Sequence, residues 1–251
     1  MIDIRYVTVQ YGSVTALDSV HAEIGPGEIV GLFGANGSGK TTLLKCVSGM
    51  MRPTYGSVLI DEVHARRSRK VSFMAQEGSS FPELTIDDHS DFLQHTMMDF
   101  RADRFERLVR FFDLPRERKL SQFSTGQRSS FELCCGLSLA RPYLIMDEPF
   151  LGHDLITRQN TLKLLAGLLG EQDTLILSTH QVQEVEPLIS RAIVLNKGRI
   201  IADVQMEELR AKHLQAKHQK AQGDSLLQFL QVDKQAGDRK LAEILEAEWP
   251  E

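Results

Sequence analysis

The chain has 251 residues, 42% hydrophobic and 25% charged, which suits a folded globular protein and excludes a disordered or fibrous one. Its formal net charge of −5 argues against a general electrostatic footprint for nucleic acid. No apolar run approaches the roughly 18 residues that would suggest a membrane-spanning helix. Cys46, Cys134 and Cys135 form no Cys-x-x-Cys pair, so they read as core thiols in a reducing compartment rather than as zinc ligands. The opening Met1-Ile2-Asp3-Ile4-Arg5 lacks the basic-then-apolar pattern of a leader, and the expectation is a protein that stays in the cytoplasm.

Residues 2–10 and 14–24 predict two strands joined at a Tyr11-Gly12 turn, with a second turn at Gly25-Pro26-Gly27. Residues 28–33 are apolar throughout after Glu28, as in a strand buried on both faces, and they run into a glycine-rich loop and a helix starting near Lys40. Strands follow near 57–61 and 70–75, and the basic run Arg66, Arg67, Arg69 and Lys70 between them reads as a solvated loop. From Pro82 to about Phe123 the rhythm turns helical. Thr85 with Asp87 and Asp88 predicts a capped helix, and Phe105, Leu108, Val109 and Phe112 have helical spacing. Strands return at 143–147, 174–179 and 191–196, separated by helices near 126–140 and 155–169; Asp154 is placed to cap the latter and Gly170 to end it.

Alternating strands and helices predict an α/β fold with a parallel sheet covered on both faces. The expected organisation is one core over residues 1–205 that begins with an antiparallel β subdomain. A helical lobe is inserted at about 82–140, and a helical extension follows over 206–251. In that extension Leu226, Leu227, Phe229 and Leu230 form one apolar cluster and Leu241, Ile244 and Leu245 another, read as a cap on the core or on a second copy.

The chemistry concentrates in two places. Gly34-Ala35-Asn36-Gly37-Ser38-Gly39-Lys40-Thr41 fits G-x-x-x-x-G-K-[ST], between an apolar strand and a helix, and Thr42 continues it. Glycines let phosphates approach the backbone, loop N–H groups and the helix N-terminus favour an anion, Lys40 supplies a point charge, and the Thr41 hydroxyl suits Mg²⁺. Tyr143-Leu144-Ile145-Met146-Asp147-Glu148 is a buried strand ending in two acids, at the end of the sheet where α/β proteins bind ligands. Asp147 suits the metal, and Glu148 suits a general base for an attacking water. The expected cofactors are ATP and Mg²⁺.

Phe123-Ser124-Thr125-Gly126-Gln127-Arg128, just before the acidic strand, resembles the LSGGQ signature of ABC ATPases. Other motifs of that family occur in its order: Tyr11 is similar to its adenine-stacking aromatic, Gln76 to its Q-loop glutamine, Leu151-Gly152-His153-Asp154 to its D-loop, and His180 to its switch histidine. The resemblance covers roughly residues 2–205 and implies a P-loop NTPase with a RecA-like parallel-sheet core. It implies that Phe123, Ser124, Thr125, Gly126 and Gln127 meet nucleotide bound by a second ABC ATPase subunit, and that His180 orders the attacking water. It also implies that Gln76 senses Mg²⁺ and that Asp154 links the two sites. Phe123 and Thr125 in the signature, and Leu151 and His153 in the D-loop, depart from the usual residues.

With one nucleotide-binding unit and no membrane span, the expected function is the motor of an ABC transporter. It would pair as a homodimer and dock through Phe81-Pro82-Glu83-Leu84 on a separate integral membrane permease, at the inner face of the cell membrane. The pattern Leu114-Pro115…Phe123–Gln127 and the short lobe look most like ABC-2-type exporter ATPases. The alternatives are an importer ATPase, or a non-transport ATPase acting on ribosomes or DNA. The stretch between Thr41 and Ser124 is too short for a long coiled-coil insertion and lacks sustained heptads, and no nucleic acid is expected as partner.

Overall fold

The computed structural model describes residues 1–76, 80–180 and 182–209. In chain order the elements are β1 (Ile2–Tyr11), β2 (Val14–Ile24), β3 (Ile29–Phe33), α1 (Lys40–Val47), β4 (Tyr55–Ile60), β5 (Val63–His64), β6 (Val71–Met74), α2 (Ile86–Thr96), α3 (Ala102–Phe111), α4 (Thr125–Leu137), β7 (Tyr143–Asp147), α5 (Leu155–Leu168), β8 (Thr174–Ser178), α6 (Val182–Val185), β9 (Arg191–Asn196) and β10 (Arg199–Gln205). They build two sheets. One is antiparallel, in the order β2-β1-β4-β5; the other runs β10-β9-β3-β8-β7-β6. In the second sheet β9, β3, β8, β7 and β6 are parallel, and β10 closes one edge antiparallel to β9.

The two-residue period of the parallel strands divides their side chains between two cores. Ile145, Ile176, Ile193 and Leu195 face one way and pack with α1 and the inner face of the antiparallel sheet, including Ile2, Ile4, Val7, Leu17, Val58 and Ile60. Leu144, Met146, Leu175, Leu177, Ala192 and Val194 face the other way and pack with Phe105, Leu108, Phe131, Leu133 and Leu165 of the helices. Burial on both faces is why these strands read as continuous apolar runs.

The helical lobe rests on aromatics. Phe105 of α3 and Phe131 of α4 are fully buried and meet edge-to-face at 6.1 Å, each contributing about 1.5–3 kcal/mol by burial. The expected cap at the start of α2 is a capping box, in which Thr85 and Asp88 each accept from the other's backbone N–H. Arg116 ties the end of this region to Glu106 on α3 and to Asp87 on α2. A second tie joins the two sheets. Asp61, in the β4–β5 turn, accepts from Lys70 Nζ at 2.6 Å and from the Tyr143 hydroxyl of β7 at 2.6 Å. The Lys70 hydrogen bond, with that of Tyr143 among the others, holds its carboxyl well below the usual carboxylate range. Lys70 therefore has a structural partner, whereas Arg66 and Arg67 are exposed as expected.

The structure adds three elements to the sequence reading: β5, α6 and β10. The last is a half-exposed edge strand whose Ile200, Ala202 and Val204 alternate with exposed residues. The chain then makes a helical turn at residues 206–209, burying Met206 and Leu209. The rest of the expected helical extension, from residue 210, lies outside the described residues. Among the described residues no helix is long and apolar enough to cross a membrane.

Candidate active site

β3 lies between β8 and β9, and its C-terminal end opens directly into the glycine-rich loop. Gly34 makes the turn with φ of 146°, and a Cβ there would sit 2.2 Å from the Leu195 carbonyl oxygen of β9. No side chain fits without parting the two strands. The loop curls around the ammonium of Lys40, the first residue of α1. Its Nζ donates to the carbonyls of Gly34 at 2.6 Å and Ala35 at 3.2 Å. Burial lowers the Lys40 pKa, and the negative charges of Glu148 and Asp147 oppose that shift. The turn before β10 braces the loop from behind, since Gly198 N–H donates to the Ser38 carbonyl at 2.9 Å.

The acidic strand arrives alongside. All five residues of β7 are buried, and Asp147 pairs in register with Ser178 of β8. Ser178 Oγ donates to Asp147 Oδ1 at 2.5 Å and accepts from the Glu148 N–H at 3.1 Å. Glu148 adopts φ of 48°, a left-handed conformation costing about 1–2 kcal/mol for a residue with a Cβ. Residues held this way cluster at functional sites. His180 follows β8, and its Nδ1 lies 3.2 Å from Glu148 Oε1.

These groups line one cleft of about 600 Å³. Asn36, Gly37, Gly39, Lys40, Thr41 and Thr42 come from the loop and α1, Asp147 and Glu148 from the end of β7, with Gln76, His180, Leu151 and Ala16 completing the wall. Gly34, Ala35 and Ser38 form the back of the loop rather than the wall. Two of the buried polar atoms without a hydrogen-bond partner among the described residues belong to this site: Ser38 Oγ, in the loop, and Asp147 Oδ2, whose sister oxygen is bound to Ser178. Buried polar groups are normally satisfied, so both suit a site completed by a ligand. For Asp147 Oδ2 the matching ligand is a cation, and the Thr41 hydroxyl shares the cleft. Among the described residues no three His, Cys, Asp or Glu side chains converge on one point, so one carboxylate and one hydroxyl would have to share a cation with phosphate oxygens.

The remaining sequence-predicted residues sit elsewhere. Tyr11 ends β1, exposed, with its hydroxyl donating to Met51 Sδ at 3.2 Å, and it does not line the cleft. Ser124 and Thr125 are exposed at the start of α4, where Ser124 and Gln127 close a second reciprocal capping box. The Phe123 side chain is buried in the lobe core against Phe131, so only its backbone is free to meet another copy. Gly126 is where a Cβ would stand 2.4 Å from the Gly152 carbonyl oxygen, so this glycine is required by packing within the chain.

That contact joins the signature helix to the segment after Glu148. Ser129 Oγ donates to the Leu151 carbonyl at 2.8 Å, and the buried His153 places Nε2 3.0 Å from Ser130 Oγ. Burial lowers the His153 pKa. Asp154 caps α5, accepting from Thr157 N–H at 2.7 Å, as its sequence position predicts. Sequence reasoning missed Ser178, Ser130 and Ala16. The one signal for Ser178 was a hydroxyl at the last position of a strand whose three middle residues are apolar.

Residues 17–151 match the family described as ABC transporter. The thiamine import ATP-binding protein ThiQ of Jannaschia sp. is 30% identical over 85% of this chain and 96% of its own length. The lipopolysaccharide export system ATP-binding protein LptB of Haemophilus influenzae is 29% identical over 76% of this chain and 85% of its own length. The dimeric structure of a bacterial ABC transporter cassette aligns with a TM-score of 0.74 at 25% identity, covering 82% of this chain and 99% of that one.

Proposed function

The chain belongs to the ABC transporter family, as an ATP-binding, ATP-hydrolysing subunit, and on that premise we propose that it drives export through a separate membrane permease by pairing with a second copy around ATP. The observation that carries the site assignment is the convergence of Lys40, Thr41, Gln76, Asp147, Glu148 and His180 on one cleft.

Residues 34–42 bind the phosphates, with Lys40 exchanging its loop carbonyls for phosphate oxygens. Thr41 and Asp147 would hold Mg²⁺, and Gln76 lines the same cleft. When bound, the cation supplies positive charge against the developing charge of the transferred phosphoryl group. Glu148 takes the proton from the attacking water, and His180, beside the same carboxylate, keeps it aimed. The exposed Ser124 and Thr125, with the N–H groups that open α4, address the γ-phosphate held by the other copy. Asp154 links the two sites of the pair, and the exposed Tyr11, outside the cleft itself, is the ring offered to adenine. Residues 1–205 form the ATPase domain in this reading.

Export rests on the short helical lobe and the Leu114-Pro115…Phe123–Gln127 pattern of ABC-2-type ATPases. Import is the second reading, favoured by the thiamine-import relative. Gentle detergent extraction followed by purification of the native complex tests the assignment. Co-purification of a polytopic membrane protein alone is expected. A solute-binding protein in the complex would favour import, and recovery of ribosomes or DNA would overturn the transport reading.

A further inference from the structure

β8 buries all five of its side chains, two of them hydroxyls: Thr174 at its start, which donates to the Gly25 carbonyl away from the cleft, and Ser178 at the end that meets Asp147. A buried hydroxyl costs free energy unless it is hydrogen-bonded, and an apolar side chain would pack there without that cost. Its partners explain why a serine stands there. β8 is hydrogen-bonded to β3 on one side and β7 on the other, which puts Ser178 opposite Asp147 and beside Leu32. The hydroxyl donates to Asp147 Oδ1 at 2.5 Å and accepts from the Glu148 N–H at 3.1 Å, while the Ser178 carbonyl takes the same N–H at 3.2 Å.

We infer that Ser178 is a positioning residue for both acids of the site. Its O–H occupies one oxygen of Asp147 and fixes the rotation of the carboxylate, which leaves Oδ2, buried and without a partner among the described residues, to meet the cation. Its lone pair, with its own carbonyl, anchors the N–H of Glu148 and so stabilises the left-handed turn, φ 48°, that brings the Glu148 carboxylate round to His180. One side chain thereby couples the orientation of the metal-binding acid to that of the general base. A carboxylate freed from this bond could turn about its χ2, and the cation would first have to reorder it.

The inference rests on the nucleotide and Mg²⁺ reading above, so the test separates the two. ATP affinity of the full chain is measured by calorimetry with Mg²⁺ and again with excess EDTA, for the native protein, Ser178→Ala and Ser178→Thr. The native protein is expected to bind more tightly with Mg²⁺. Ser178→Ala is expected to bind like native in EDTA but to lose about 10-fold or more of the Mg²⁺-dependent tightening, the size of a hydrogen bond to a charged group. Ser178→Thr, which keeps the hydroxyl, is expected to restore most of it. Ser178→Cys, nearly isosteric with a weak donor, replaces the alanine variant if that one does not fold, and should show the same defect. Native Mg²⁺ tightening in both the alanine and cysteine variants, or equal weakening in EDTA and Mg²⁺, would overturn the positioning role. A native protein indifferent to Mg²⁺ would overturn the cation reading and this inference with it.

Discussion

Gly126→Ala places two effects of opposite sign in competition. In a helix, glycine to alanine normally stabilises by up to about 1 kcal/mol. At Gly126, in the first turn of α4, the new methyl would stand 2.4 Å from the Gly152 carbonyl oxygen and 3.1 Å from its carbon. That is roughly an ångström inside the comfortable separation of about 3.5 Å. The obstructing atom is backbone, held by Ser129 on Leu151 and by His153 on Ser130, so no flexible side chain can swing aside. Overpacking of this kind costs about 1–3 kcal/mol. With the obstacle rigid, the upper half of that range applies, and the net expectation is a loss of about 1–2 kcal/mol. Gly167→Ala is the control. It lies on α5 with nothing within 4 Å of an added Cβ, and it should stabilise by about 0.5 kcal/mol. Urea denaturation reads both: the midpoint should fall for Gly126→Ala and rise slightly for Gly167→Ala. Midpoints that rise together would refute the claim that the signature helix and the segment after Glu148 are in fixed contact.

Lys40→Ala should fold and lose ATP affinity by at least about 10-fold, since it removes a charged donor from the phosphates; calorimetric titration checks this. His153 carries a pH dependence. Burial holds its pKa below the ordinary imidazole value, so the unfolded chain takes up the proton first as pH falls. The stability it contributes is full above about pH 6.5 and declines below it. His153→Leu should flatten that decline between about pH 6.5 and pH 5 in urea midpoints. An unchanged slope would place the titrating group elsewhere. Asp61→Asn should lower the melting temperature at neutral pH, and the gap to native should close in acid. The carboxylate's contribution is present above its unfolded pKa of about 3.9 and is lost as pH falls toward the depressed folded value. A gap that stays constant from neutral to strongly acid pH would show that the Lys70–Asp61–Tyr143 tie does not stabilise the fold.

What could be read from the sequence was local. The glycine-rich loop between strand and helix, the apolar strands and the Thr85 and Asp154 caps each announce themselves within a few residues, and the structure has them at the expected places. The parts that escaped are set by residues far apart in the chain. Ser178 reads as an odd polar residue until β8 is laid beside β7, and its partner Asp147 is 31 positions away. His153 reads as a departure from the family pattern until α4 brings Ser130 to it. Gly126 stands in the sequence as one residue of the signature, and its close approach to the Gly152 carbonyl shows only in the fold. The edge strand β10 has too weak an alternation to stand out, because one face of it is solvent.

The central claim is that the cleft at the ends of β3 and β7 hydrolyses ATP with Glu148 as the base. Phosphate release from ATP by the full chain, compared with Glu148→Gln, tests it most directly. Steady release by the native protein is expected, with a fall of about 10²–10⁴-fold in a variant that still binds ATP. Equal rates in the two proteins would contradict the account.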